Sequence, residues 1–245
     1  MDGVVTDTAA VHSAAWKRMF DEYLRRREHE RGEVFREFSH AGDYLNFVDG
    51  KPRYQGVQAF LLSREISLPF GAANDPADAG TICGLGNRKN ELFNQILETE
   101  GVRVYRSTIA LIHSLRDAGI NVGLATSSRN SALVLAQSGT APLFATVIDG
   151  LVSERLGLKG KPAPDIFLAA CARLGANRQR AIVIEDAVSG VRAGASGEFG
   201  LVVGVARENN AAELRENGAD VVVGDLGELS LRELDRKVRL KAAGQ

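Results

Sequence analysis

Four groups of polar side chains stand out because the sequence pattern places them at the carboxyl ends of predicted strands. They are Asp2, the hydroxyl run Thr126-Ser127-Ser128, Lys161, and the acidic pair Glu185-Asp186. In open parallel sheets, ligands bind beyond the carboxyl ends of the strands, where such groups would meet. Together they favour phosphoryl transfer, because a phosphoryl group in transfer carries spread negative charge and needs donors, a cation and a divalent metal.

Each residue type has a separate role in that chemistry. Glu185 and Asp186 offer hard oxygen ligands, which suit Mg²⁺. Lys161 would act as a point charge on the phosphate, and Thr126 as a hydrogen-bond donor. We therefore expect Mg²⁺ as the cofactor.

Taken one at a time, the same groups have ordinary structural interpretations. The hydroxyl run and the acidic pair could each cap a following helix. Lys161 could be exposed at a helix start, and Asp2-Gly3 could be a plain turn. Their occurrence together, in this order and at strand ends, favours one shared site.

The hydrophobic pattern predicts the elements that would position these groups. Apolar residues at three- and four-residue steps predict a helix over residues 8 to about 30, and residues 39–90 predict short helices broken by loops, without a convincing strand. From residue 104, helices alternate with apolar strands. The predicted strands are 120–125, 144–148, 181–184, 201–205 and 220–223, and the main predicted helices are 108–118, 164–174 and 211–217. This alternation favours an α/β fold, with a parallel sheet and helices on both faces.

Composition argues against several classes of function. The 245 residues carry a formal net charge of −1, which offers no electrostatic footprint for nucleic acid or an anionic membrane. Cys83 and Cys171 match no metal or redox spacing. No apolar run approaches the ~20 residues of a membrane span. We expect a reduced, cytoplasmic monomer without nucleic-acid or membrane partners.

The motifs resemble those of a known superfamily. The segments DGVVTDT, ATSS, GKPAPD and VIED occur in this order, and they resemble the motifs of the haloacid dehalogenase (HAD) superfamily of phosphotransferases. With VDGKPRYQGV and GNRKN, they look most like its β-phosphoglucomutase branch. The resemblance spans nearly the whole chain. It implies a Rossmann-like core formed by residues 1–12 and 104–245, and an inserted helical cap of residues 13–103.

The resemblance also implies roles for residues of the core. Asp2 would be the general acid/base, with its backbone carbonyl on Mg²⁺, and Asp186 with Glu185 beside it would form the distal metal site. Thr126 and Lys161 would hold the transferring phosphate.

Further residues would bind substrate or move with the cap. The loop that would grip a second phosphate or the sugar contains Ser127, Ser128, Arg129 and Asn130. Thr8 and His12 would form the hinge that positions the acid/base as the cap closes. Gly50, Arg53 and Lys89 would set specificity, with Arg53 as the phosphate clamp, although VDGKPRY matches the family pattern only loosely.

Three functions remain open on these grounds. The first is a mutase that converts β-glucose 1-phosphate to glucose 6-phosphate through an aspartyl phosphate. The second is a sugar-phosphate phosphatase that uses the same residues with water as the final acceptor. The third is a non-catalytic protein that binds a sugar phosphate. The small phosphorylated sugar is the expected partner in all three.

One departure from the family pattern generates a prediction. The family's nucleophile is an aspartate two residues before the acid/base aspartate, and only Met1 precedes Asp2 here. Without that carboxylate no aspartyl phosphate forms and a metal ligand is lost, so we expect the 245-residue chain to be inactive and poorly stable. A form in which an apolar strand ending in aspartate precedes Met1 should be active and melt at a higher temperature. Equal turnover of the two forms would contradict this expectation.

Overall fold

The protein consists of two compact units. The computed structural model describes residues 1–48, 51–207 and 209–244. The first unit, here the core unit, contains Met1–Thr8 and Val102–Gln245, and the second, here the cap unit, contains Ala9–Gly101. The sequence predicted the boundaries slightly later, after residues 12 and 103. No helix in the described ranges combines the length and apolar character needed to cross a bilayer.

The cap unit is helical. Its elements are α1 (Thr8–Arg31, whose first residue belongs to the core unit), a π-helix (His40–Val48), α2 (Arg53–Ser63) and α3 (Ile82–Glu100). The helix predicted over residues 8 to about 30 is confirmed, and the described part of this unit contains no strand. Helix α3 begins at Ile82, where the Thr81 hydroxyl caps its start by accepting from the Gly84 N–H at 2.9 Å.

An aromatic cluster forms the centre of the cap unit. Phe20, Phe38 and Phe60 are all fully buried. The ring centroids of Phe20 and Phe60 lie 4.0 Å apart, and those of Phe38 and Phe60 lie 5.0 Å apart. Aromatic side chains bury large apolar areas, so this cluster holds together α1, α2 and the segment between them.

The core unit alternates helices with strands. Its strands are β1 (Gly123–Ala125), β2 (Thr146–Ile148), β3 (Ile182–Glu185), β4 (Leu201–Val205) and β5 (Val221–Val223). Its α-helices are α4 (Arg106–Asp117), α5 (Ser131–Gln137), α6 (Gly150–Arg155), α7 (Asp165–Arg173), α8 (Val188–Ser196), α9 (Ala211–Glu216) and α10 (Leu231–Ala242). Short 3-10 helices lie at Ala141–Leu143, Arg178–Arg180 and Leu226–Glu228. The hydrophobic pattern did not predict α6, whose six residues are too few to show a period.

The five strands are parallel to their neighbours but form two sheets rather than the one predicted. One contains β1 and β2, and the other contains β3, β4 and β5 in that order. All five residues of β4 are buried. Because side chains alternate between the two faces of a strand, both faces of this sheet must be covered. The α/β fold with helices on both faces is therefore confirmed.

A shared hydrophobic cluster joins the two sheets. Residues Ile166, Phe167 and Ala170 of α7 pack in one cluster with Ile148 of β2 and Val183 of β3. Helix α7 thus packs against strands of both sheets, although β1 and β3 are not hydrogen-bonded to each other in the described residues.

The first six residues form a tight loop where the sequence suggested the end of a strand. The Met1 carbonyl accepts from the N–H groups of Val4, Val5 and Thr6. Thr6 makes only isolated bridges, to Asp2 and to Val104. The reason is local: three N–H groups converging on one carbonyl curl the backbone, so it cannot extend beside a neighbouring strand.

The aromatic cluster leads to a stability prediction. Phe60→Ala should lower the free energy of unfolding by about 3–5 kcal/mol, because it leaves a cavity against Phe20 and Phe38. Phe70→Ala is the matched control, since Phe70 is 52% exposed. Denaturant titration of both variants measures the difference. Equal losses would show that the cluster is not the centre of this unit.

Candidate active site

Asp2 is held by two threonine hydroxyls. Thr8 Oγ1 donates to Asp2 Oδ1 at 2.5 Å, and Thr126 Oγ1 donates to Asp2 Oδ2 at 3.3 Å. Both threonines are buried, at 0% and 3% exposure. The start of α1 and the end of β1 therefore meet at one carboxylate, which brings together three residues that the sequence singled out.

The loop that carries Asp2 is fixed through its backbone carbonyls. The Val4 carbonyl accepts from Thr108 Oγ1 at 2.7 Å, and the Val5 carbonyl accepts from the Tyr105 N–H at 3.0 Å. The Gly3 carbonyl accepts from Arg207 Nε at 2.9 Å. Tyr105 and Thr108 lie at the start of α4, and Arg207 follows β4, so the loop is held by two separate parts of the chain.

Sequence reasoning missed Arg207. Its guanidinium lies 3.7 Å from the centre of the Tyr105 ring, and Nη1 donates to the Gly224 carbonyl at 3.2 Å. Its Nη2 atom is buried without a hydrogen-bond partner among the described residues. The available signal was its position just after β4, at the same sheet edge as the other polar groups.

Gly3 allows the Asp2 loop to approach the acidic pair closely. Its φ angle is +67°, and a Cβ there would lie 1.8 Å from Asp186 Oδ2. Any side chain would be strained by the backbone and would collide with that carboxylate. The Asp-Gly pair is therefore more than a turn, because it lets the loop pack on Asp186.

Glu185 and Lys161 form a buried ion pair. Lys161 Nζ donates to Glu185 Oε1, and the exposed fractions of the two side chains are 13% and 7%. Glu185 Oε2 accepts from the N–H groups of Asp186 and Ala187 at 3.1 and 3.2 Å. Burial alone would raise the pKa of Glu185, but the Lys161 ammonium and these donors hold it below its usual value.

Asp186 is in the opposite electrostatic situation. Burial and the adjacent Glu185 charge raise the pKa of Asp186 to about 7. Among the described residues, no other side chain donates a hydrogen bond to its carboxylate or forms an ion pair with it. Its backbone carbonyl accepts from Asn210 Nδ2 at 3.2 Å, while Asn210 Oδ1 is buried without a partner in the same described part of the chain.

These oxygens fit a divalent cation only in part. Among the described residues no group of three or more His, Cys, Asp or Glu side chains is arranged to hold a metal. The carboxylate of Asp186 suits a hard cation, because a positive charge there would offset the cost of its burial. The Asp2 carbonyl takes no hydrogen bond from the described residues. Both oxygens of Glu185 are already occupied, by Lys161 and by backbone N–H groups.

The loop after β1 is ordered by its own side chains. Thr126 Oγ1 accepts from the Ser128 N–H at 3.1 Å, and Ser128 Oγ accepts from the Asn130 N–H at 3.2 Å. Arg129 pairs with Glu154 of α6 at 3.2 Å. Ser127 is exposed. The interpretation of this run as a helix cap is therefore wrong, because α5 begins without a side-chain cap hydrogen bond, and Thr126 donates to Asp2 instead.

Among the described residues, the predicted cap residues Lys89 and Arg53 each make a polar contact inside the cap unit. Lys89 is 5% exposed, and its Nζ lies 2.6 Å from His12 Nδ1. Arg53 Nη2 donates to Asn90 Oδ1 at 2.8 Å. Gly50 lies outside the described residues. The two residues predicted as a hinge hold different partners, because Thr8 bonds Asp2 and His12 contacts Lys89.

His12 is a neutral acceptor. Its ring stacks on Phe93 with centroids 4.3 Å apart. Burial, then the charges of Lys89 and Arg53, lower its pKa well below the ordinary value of 6.5. The neutral ring can therefore accept a hydrogen bond from the Lys89 ammonium.

This pKa shift leads to a prediction about stability. A histidine that stays neutral when folded stabilises the fold fully above its unfolded pKa, and the contribution is lost as the pH falls below it. Between pH about 7.5 and about 5, the wild type should therefore lose more unfolding free energy than His12→Gln. The difference should grow by up to about 1.4 kcal/mol per pH unit below pH about 6.5. Denaturant titrations at several pH values measure it.

The control for that prediction is His113→Gln. His113 is exposed on α4, and this variant should follow the wild-type curve. Parallel curves for wild type and His12→Gln would show that His12 is not held neutral.

Comparisons with known proteins agree with this arrangement. The family model for haloacid dehalogenase-like hydrolases matches residues 1–197. The beta-phosphoglucomutases of Mycobacterium bovis and Mycobacterium tuberculosis are 45% identical to this chain over 232 residues, which cover 94% of this chain and 88% of theirs. The crystal structure of beta-phosphoglucomutase from Clostridium difficile has a TM-score of 0.71 at 22% identity, covering 99% of this chain and 96% of that one, which shows the fold alone. The chain therefore belongs to the haloacid dehalogenase-like hydrolase family of enzymes.

Proposed function

We propose that this protein is a Mg²⁺-dependent β-phosphoglucomutase that converts β-glucose 1-phosphate to glucose 6-phosphate. The observation that carries the proposal is the 45% identity to beta-phosphoglucomutases over 94% of this chain, a span that includes both the cap unit and the core unit. The geometry of the core unit supports phosphoryl transfer, because a carboxylate, two hydroxyls, a lysine and an acidic pair converge there.

Asp2 is the proton-transfer residue in this proposal. Its carboxylate would give a proton to the departing sugar oxygen and take one from the attacking hydroxyl. Thr8 and Thr126 hold one oxygen each, which fixes the orientation of the carboxylate. In the proposed cycle, the phosphoryl group is carried between the two half-reactions as an aspartyl phosphate.

Lys161 and the loop after β1 would bind the phosphates. Lys161 already holds the charge of Glu185, so its ammonium is fixed in place to attract the transferring phosphate. Residues 127–130 would hold a second phosphate or the sugar. Arg53 and Lys89 of the cap unit would contribute positive charge and set specificity.

Mg²⁺ would be held by the Asp186 carboxylate and the Asp2 carbonyl, with Glu185 beside them holding Lys161. When bound, the ion would stabilise the negative charge that develops on the transferring phosphoryl group. The raised pKa of Asp186 supports this assignment, since a cation would favour its ionised form.

A phosphatase acting on a small sugar phosphate is the second candidate. The matching family model is a hydrolase model, and the same residues could deliver the phosphoryl group to water. Whether the protein acts as a mutase or as a phosphatase depends on whether water is excluded long enough for a sugar hydroxyl to attack the aspartyl phosphate.

An assay of Lys161→Met tests the proposal. Formation of glucose 6-phosphate from β-glucose 1-phosphate is measured with and without a catalytic sugar bisphosphate, in the form that carries an aspartate before Met1. The variant should lose about 100-fold to 1000-fold in turnover, because the transferring phosphate loses a fixed cation. Lys159→Met is the matched control, since Lys159 is exposed two residues away and should keep full activity.

Three outcomes would contradict parts of the proposal. Free phosphate released as fast as glucose 6-phosphate forms would favour the phosphatase. Binding of glucose 6-phosphate without any turnover would favour the non-catalytic protein. Equal activity of the two lysine variants would remove Lys161 from the site.

A further inference from the structure

The loops that leave β1 and β2 run side by side. The two strands are parallel neighbours, with Ala125 paired to Ile148, and the Thr126 N–H donates to the Ile148 carbonyl at 2.9 Å. The next residues along each strand therefore emerge together at the same sheet edge. One loop is residues 127–130, and the other is the pair Asp149-Gly150, which opens α6.

Asp149 joins the first turns of two helices. Its Oδ1 accepts from the Val152 N–H at 2.8 Å, which caps α6. Its Oδ2 accepts from Ser131 Oγ at 2.7 Å, and Ser131 is the first residue of α5. Ser131 is only 1% exposed, so this bond is shielded from water. A single carboxylate thus sets where α5 begins, immediately after the loop of residues 127–130.

Gly150 supports the same loop from the other side. Its N–H donates to the Ser128 carbonyl at 2.9 Å. A Cβ at this position would lie 2.6 Å from the Ser127 carbonyl oxygen and 2.9 Å from Arg129 Cγ. The backbone of the loop therefore rests directly on the glycine, and any side chain there would displace it.

A helix cap alone does not explain this arrangement. Capping α6 needs only the Asp149–Val152 bond. The bond to Ser131 and the close approach of Gly150 to Ser127 and Ser128 add nothing to α6. They do fix the loop at both ends.

We propose that Asp149 and Gly150 are positioning residues that hold the backbone of residues 127–130 in the geometry that binds a sugar phosphate. This inference rests on the proposed function, which assigns that loop to the second phosphate or the sugar. It adds two residues that would act through the loop and never touch the substrate themselves.

The test compares Gly150→Ala with Gly80→Ala. A Cβ at Gly80 meets nothing within 4 Å, so that variant is the matched control for adding one methyl group. Two quantities are measured: the dissociation constant of glucose 6-phosphate by calorimetry, and amide hydrogen exchange across residues 126–131. Gly150→Ala should weaken binding by roughly tenfold to a hundredfold and speed exchange in that segment. Gly80→Ala should match the wild type in both.

A second pair of variants covers the case in which Gly150→Ala does not fold. Ser131→Ala removes the hydroxyl that Asp149 accepts from and leaves the cap of α6 intact, while Ser131→Thr keeps a hydroxyl. Ser131→Ala should speed exchange in residues 126–131 and weaken binding, and Ser131→Thr should restore both. With a sugar-phosphate assay, the loss should be in KM more than in kcat, which a general loss of stability would not produce.

The outcomes separate this inference from the proposed function. If the wild type does not bind glucose 6-phosphate, both the proposed function and this inference fail. If the wild type binds and folded Gly150→Ala or Ser131→Ala binds equally well, only the positioning role is overturned. Faster exchange without weaker binding would also overturn it, because the loop would then be held for structural reasons alone.

Discussion

The crowding of three carboxylates is the constraint on which the core unit depends. Asp2, Glu185 and Asp186 lie close together, and burial and the neighbouring negative charge raise the pKa of Asp186. Each carboxylate is accommodated in a different way. Glu185 has a lysine and two N–H groups, Asp2 has two hydroxyls, and Asp186 has a raised pKa. A cation bound beside Asp186 would favour its ionised form, which is the electrostatic reason for proposing one there.

Bringing these groups together requires a tightly held backbone. The carbonyls of Gly3, Val4 and Val5 are bound by donors from outside the loop that carries Asp2, and Gly3 has no side chain where Asp186 packs. A buried carbonyl without a partner would cost free energy, so these bonds both satisfy the loop and prevent it from shifting. Asp149 and Gly150 do the same for the loop after β1. In both cases the functional side chains lie on short loops, and the precision comes from contacts to the backbone.

The cap unit also contains a buried cation. Lys89 contacts the His12 nitrogen and lies 5.2 and 4.8 Å from the Trp16 and Phe93 ring centres. The imidazole nitrogen accepts from the ammonium, and the two rings attract it through their π faces. In the core unit, the buried Lys161 pairs with the carboxylate of Glu185.

Much of the fold and part of the site could be predicted from the sequence, because they depend on local pattern. Helix α1, strand β4 and the alternation of strands with helices follow from apolar periodicity. The candidates Asp2, Thr126, Lys161 and Asp186 were identified by their polar residue types and their order along the chain. Tertiary structure decided what those residues contact: that Lys161 is paired with Glu185, that His12 is neutral beside Lys89, and that the strands divide into two sheets. It also placed Arg207 against the loop that carries Asp2, which is far away along the chain. Asp149 and Gly150 likewise lie against the loop that follows the neighbouring strand β1. These properties depend on distances between segments, which hydrophobic periodicity does not encode. They also depend on burial, which determines the free-energy cost of a charged group and arises only when the chain folds.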